Sequence, residues 1–166
     1  MARLDYEIKA MHTTTHELTQ SEWDWLDAFE LRLRPEDKRE LIAAHGKIFV
    51  AILRSVISSE EAYYVTGAKG EPLVLYGKCA EKNLPGRLIW CMATEDMAPY
   101  EREFARVSRK ILQEWAEKHG ILWNAVGDFN EAAKRWLKWC GAEFGDPLEM
   151  GGEPFVRFYI RGKQYV

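Results

Sequence analysis

The sequence predicts an α+β domain: a mixed, mostly antiparallel sheet flanked by helices. Three observations predict it. Ile121 to Phe144 reads in order as a short buried strand, a loop, an amphipathic helix and another strand. Between residues 62 and 94 three strand-like runs are separated only by turn signals, the pattern of an antiparallel meander. Two stretches, 41–56 and 104–115, carry apolar residues at helical spacing, so helices alternate with strands.

Taken in order, Tyr6 to Ala10 is a first strand, and Ser21-Glu22-Trp23-Asp24 resembles a capping box opening a helix that runs to about Arg34. Pro35 marks a new start. From there Leu41, Ile42, His45, Ile48, Phe49, Ile52, Leu53 and Val56 keep one helical period, which predicts a single long helix ending near Ser58 with Gly46 as its weak point. Strands follow over Ala62 to Thr66, Leu73 to Cys79 and Arg87 to Thr94, parted by Gly67-Ala68-Lys69-Gly70 and Asn83-Leu84-Pro85-Gly86.

Pro99 to His119 is the next helix, with Phe104, Val107, Ser108, Ile111, Leu112 and Trp115 on one face and Gly120 closing it. Ile121, Leu122, Trp123, Ala125 and Val126 make a buried strand, ended by Gly127 and Asp128. Asn130 caps a helix whose Ala133, Trp136, Leu137 and Cys140 share a face, and Gly141 supplies the left-handed stop. Pro154 to Arg161 is a last, alternating strand.

The 166 residues suffice for one core, and no Pro/Gly/Ser-rich spacer, repeat or low-complexity tract divides them, so a single domain over 1–166 is expected. With 23 basic against 26 acidic residues, the net charge of -3 leaves no electrostatic footprint for nucleic acid. Arg3, Asp5, Glu7 and Lys9 break up any apolar signal region, and Lys47 to Ile57, interrupted by Arg54, is far too short to span a membrane. Cys79, Cys91 and Cys140 cannot all pair within one chain, and each sits in an apolar run, which fits buried thiols in a reducing cytoplasm. His12 and His16 have the i, i+4 spacing of a zinc pair, but Thr13 to Thr15 argue for a loop, and no metal site is expected.

The segment Arg87 to Phe144 resembles the GNAT family of N-acetyltransferases, in which an Asn-initiated helix follows the fifth strand and ends in Gly. Asn130 to Gly141 has that interval. The motifs Leu122-Trp123-Asn124, Arg135-Trp136-Leu137-Lys138 and Gly141-Ala142-Glu143-Phe144 are similar to those of small GNAT-like proteins of T7-like bacteriophages, including an internal virion protein. The resemblance implies a GNAT-like fold whose central strands, Arg87 to Thr94 and Ile121 to Val126, splay apart at their C-terminal ends. It also implies acetyl-CoA as the family's cofactor, with the backbone of Met92, Ala93 and Thr94 set to pair with a pantetheine arm, and with Arg102 and Asn130 beside the same ligand.

The family's chemistry, however, is degenerate here. The resemblance places a glycine-rich pyrophosphate turn at Thr94 to Glu101, yet that turn holds no glycine, Pro99 removes one donor, and Glu95, Asp96, Glu101 and Glu103 put negative charge where phosphates would lie. The family's tyrosine acid falls on Leu137, which transfers no proton. Substitutes are Tyr159, Tyr100 or Cys140; bases are Glu95, Glu71 or Glu81, with Glu95 and Tyr159 the catalytic candidates. Arg102, Arg106, Arg109 and Lys110 suit either a diphosphate or an ordinary solvated helix.

Two functions follow. The first is a GNAT-like phage protein that binds a host or phage protein, in the cytoplasm of the infected bacterium or in the virion, without a cofactor; the second is an acetyl-CoA-dependent N-acyltransferase with a divergent pyrophosphate loop. Trp25 and Trp139 are the aromatics whose place, core or partner anchor, the sequence leaves open.

Overall fold

The computed structural model describes residues 5–83 and 85–163. In chain order the elements are β1 (Tyr6–Met11), α1 (Gln20–Arg32), α2 (Pro35–His45), α3 (Ile48–Ile57), β2 (Ser59–Gly67), β3 (Pro72–Asn83), β4 (Gly86–Ala93), a 3-10 turn (Glu95–Tyr100), α4 (Glu101–His119), β5 (Ile121–Gly127), α5 (Glu131–Trp139), β6 (Glu143–Met150) and β7 (Glu153–Arg161). The strands form a seven-stranded sheet in the order β1-β2-β3-β4-β5-β7-β6. Pairings β1–β2, β2–β3, β5–β7 and β6–β7 are antiparallel; β4–β5 is parallel. This is the expected α+β, mixed and mostly antiparallel class. By internal contacts the chain groups into two units, one drawn from residues up to Ala80 with Trp90–Tyr100, the other from Glu81–Ile89 with residues from Glu101 onward.

In the first unit, α1, α2 and α3 supply Trp25, Leu26, Phe29, Leu41, Ala51, Ile52 and Val56 to a core completed by Ala62, Leu75 and Met92 of the strands. Each such large side chain contributes about 1.5–3 kcal/mol by leaving water. Helix α1 begins two residues earlier than the Ser21 box predicts. Thr19 is the cap: its Oγ1 accepts the Glu22 N–H at 3.1 Å while Glu22 Oε1 accepts the Thr19 N–H at 2.8 Å. Glu22 is buried because it also accepts His12 N–H at 2.9 Å and lies 2.9 Å from His12 Nδ1, so it ties the end of β1 to the start of α1.

The single long helix predicted from Pro35 to Ser58 is instead two. Gly46 adopts φ 84, its N–H closes α2 on Ile42 O, and the chain restarts at Ile48. The apolar period runs straight through because both helices bury residues at helical spacing; a left-handed glycine, not a change of pattern, makes the break. Trp25 proves to be a core residue, stacked 4.9 Å from Phe29 with its Nε1 donating to Thr66 Oγ1 at 3.0 Å. A register shift between Ser59 and Glu61 in β2 adds one residue, so that both Glu60 and Glu61 reach the buried Lys78 ammonium, at 3.8 and 3.1 Å.

In the second unit, Ile89, Leu112, Ala116, Leu122, Val126, Leu137, Cys140, Phe158 and Ile160 form the core. Helix α5 lies where the sequence places it: Asn130 Oδ1 accepts the Ala133 N–H at 3.3 Å and Gly141 takes φ 94. Strands β5 and β7 pair along their whole length, from Ile121 opposite Arg161 to Gly127 opposite Phe155.

Candidate functional site

In the first unit the candidate site is the C-terminal end of β4. Met92, Ala93 and Thr94 are buried there. Alternation along a strand sends the N–H of Thr94 to the β3 side, where Leu73 O accepts it at 3.0 Å; the Thr94 hydroxyl donates to Pro72 O at 2.7 Å. The backbone groups of Ala93 therefore face the opposite side, where a ligand strand would pair. Both are occupied. Asp37 Oδ2 accepts the Ala93 N–H at 2.8 Å, and Ala93 O accepts the Arg34 N–H at 3.1 Å. Asp37 is 4% exposed and sits 3.6 Å from Arg34 Nη2. The segment joining α1 to α2 thus closes the strand end.

No local signal marks this closure. Asp37 reads as an ordinary acidic residue in the first turn of a helix, which the macrodipole favours anyway.

The turn after β4 is a 3-10 helix rather than an open loop, with Met97 and Tyr100 buried. The Tyr100 hydroxyl donates to Asp5 O at 3.5 Å and accepts the Ala68 N–H at 3.4 Å, while its ring meets Tyr6 edge-on at 6.4 Å. It is a latch, not an exposed acid. The carboxylates are less crowded than their sequence spacing suggests. Arg32 grips Asp96 through two hydrogen bonds of 3.2 and 3.1 Å and lies 3.7 Å from Glu95, while Glu103 pairs with Arg106 at 2.7 Å. Donating these hydrogen bonds to Asp96, together with the charge of that carboxylate, raises the Arg32 pKa above its ordinary value. Glu95 is thereby the surface partner of an arginine, and Glu71 accepts the Lys69 N–H at 2.9 Å to close the β2–β3 turn. The side chain of Glu81 lies outside the described residues.

The second unit holds the join of β4 to β5. Its ladder comprises Arg87 opposite Leu122 and Leu88 opposite Trp123. Beyond it a side chain takes over: Asn124 Nδ2 donates to Ile89 O at 2.6 Å, and Asn124 Oδ1 accepts the Ala125 N–H at 2.7 Å. Among the described residues the backbone ladder runs to Leu88, and an asparagine amide makes the next step, to Ile89.

Of the remaining candidates, Leu137 is 3% exposed and belongs to the core. Cys140 is fully buried, and burial pushes its thiol up to about 11 against the opposing influence of the Ser108 hydroxyl and Arg109. Tyr159 lies half-buried on β7 against Gly145 of the neighbouring strand. Asn130 spends its carbonyl on the helix cap, and Arg102 stands exposed on α4. His16 is exposed in a loop while His12 is held by Glu22. No helix among the described residues is long and apolar enough to cross a membrane.

The sequence matches no protein-family description and no curated protein. Solved structures do match. Spermidine N-acetyltransferase from Vibrio cholerae, in complex with CoA and spermine, superposes with a TM-score of 0.63 at 13% identity, covering 96% of this chain and 97% of that one. The ribosomal-protein-S5-alanine acetyltransferase from Vibrio fischeri gives 0.66 at 10% identity, covering 97% and 95%. The chain has the GNAT acetyltransferase fold. A Bacillus subtilis acetyltransferase in complex with CoA is similar as well, with a TM-score of 0.56 at 14% identity over 96% of this chain and 99% of that one.

Proposed function

We propose that this GNAT-fold chain acts by binding a host or phage protein, in the infected bacterium or the virion, rather than by acyl transfer. One observation carries the reading: both ligand-facing backbone groups of Ala93 are already hydrogen-bonded within the chain, to Asp37 and to Arg34. A pantetheine arm gains its affinity there by pairing with those groups, so its entry requires a buried carboxylate and a chain segment to be displaced first. The buried Leu137, which transfers no proton, supports the same conclusion.

A second reading, an acetyl-CoA-dependent N-acyltransferase, is favoured by the comparisons, since the matching structures are acetyltransferases and two of them hold CoA. The two-pair ladder between β4 and β5 suits it too. Titration with acetyl-CoA separates the readings. A ligand at a hundred times its dissociation constant stabilises by about 2.7 kcal/mol, or roughly 5–10 °C for a chain of this size. The binding reading expects no such shift at millimolar acetyl-CoA and no thiol release. A rise of several degrees at micromolar ligand overturns it.

A further inference from the structure

The face shared by α4 and α5 concentrates positive charge in an acidic chain. Arg102, Arg106 and Arg109 recur at four and three residues, so they form one stripe on α4; Arg135 and Trp139, four apart, form a stripe on α5. Contacts between α4 and α5 hold the two stripes side by side. Trp136 Nε1 donates to Ser108 Oγ at 2.8 Å, Trp139 Nε1 donates to Ala105 O at 3.3 Å, and the Arg109 guanidinium lies 4.4 Å from the Trp139 ring centre. Trp139 is nevertheless 52% exposed. Arg106 pairs with Glu103, but Arg102, Arg109 and Arg135 make no ion pair among the described residues.

We infer that this face is a docking surface for an acidic peptide segment of a partner protein, with Trp139 as its apolar anchor and Arg102, Arg109 and Arg135 as carboxylate receptors. Charge complementarity selects the partner. Three cations without counterions repel one another, and carboxylates spaced along a peptide satisfy them one fork at a time. Tryptophan and arginine are the residue types that dominate binding hot spots, and Trp139 is held rigid by its hydrogen bond and by Arg109, so little entropy is lost when a partner covers it. Single-stranded nucleic acid fits less well. Such ligands stack successive bases on several aromatic rings, whereas one ring is exposed here and Arg109 already covers one of its faces.

The inference deepens the binding function proposed above and rests on it. The probe is a fluorescein-labelled peptide of alternating Glu and Leu, followed by anisotropy at low ionic strength with the Gln/Leu peptide as control. Saturable micromolar binding of the Glu peptide alone is expected, weakening with salt. Arg109→Glu with Arg135→Glu, both at exposed positions, should weaken it roughly tenfold or more, the scale of a single anchor residue, and Trp139→Ala should do likewise. Circular dichroism checks that the variants fold. Absence of saturable binding, binding unaffected by the charge reversals, displacement by CoA, or tighter binding of an oligothymidylate would each overturn the inference. Acyl-transfer activity measured alongside would defeat the binding function itself while leaving the peptide result readable.

Discussion

Replacing Asp37 tests the closed strand end directly. In Asp37→Ala the Ala93 N–H, 5% exposed by residue, loses its acceptor. An orphaned buried donor costs about 1–3 kcal/mol, and losing a carboxylate from the first turn of α2 adds about 0.3–1 kcal/mol. The expected loss is therefore about 2–3 kcal/mol, a large share of the roughly 5–15 kcal/mol that stabilises an ordinary domain. Asp37→Asn keeps a side-chain oxygen in place and gives up only the charge facing Arg34, 3.6 Å away, so it should cost about half as much. Urea unfolding at neutral pH, comparing midpoints at constant slope, measures both variants. An alanine variant within about 0.5 kcal/mol of the parent would show that Asp37 does not hold the strand. An asparagine variant as damaged as alanine would show that charge, not the missing acceptor, sets the cost.

Other outcomes follow from single sites. Leu137→Tyr puts a hydroxyl and extra volume into a side-chain site 3% exposed, so thermal melts should show a loss of about 1–3 kcal/mol, with no thiol release from acetyl-CoA. Gly86→Ala should be among the most damaging small substitutions, because its Cβ would lie 2.2 Å from the Ile121 carbonyl oxygen, a backbone atom that cannot swing aside; insoluble or unfolded product is expected. Gly46→Ala has open space around it but must adopt φ 84, so denaturant unfolding should report only strain, about 1–2 kcal/mol. Glu22 gives an acid limb: burial opposes its charge, but hydrogen bonds from Thr19 and His12 outweigh this and hold the carboxyl below its ordinary value. Its stabilisation is complete above about pH 4.5 and is lost as pH falls through the lowered folded value, so Glu22→Gln should flatten the acid transition followed by circular dichroism.

What the sequence made legible was local. Asn130 and Gly141 bracket α5 because a cap and a left-handed stop are each written in one residue, and the meander is marked by its turns. The break at Gly46 was visible only as a weak point, since helical period alone does not separate one buried helix from two in line. The start of α1 is ambiguous in sequence because Ser21 with Asp24 has the same box spacing as Thr19 with Glu22, and the burial of Glu22 against His12 decides between them. Asp37 and Ala93 are 56 positions apart, and Arg32 and Asp96 are 64 apart. Such pairs leave no trace in spacing, so the acidic turn looked uncompensated and the strand end looked available.

The bridge made by Asn124 has a consequence for motion. At Leu122 the amide proton is protected because strands pair on both sides of it, and it exchanges with solvent only when strands part. The Ala125 proton is instead shielded by the side chain of the residue before it. A side-chain rotamer turns over in nanoseconds, while strand separation is a far rarer event. Ala125 should thus exchange much faster than Leu122, within the ladder, and its rate should follow the swing of one amide group, so that a single proton records how often the Asn124 side chain lets go of Ile89.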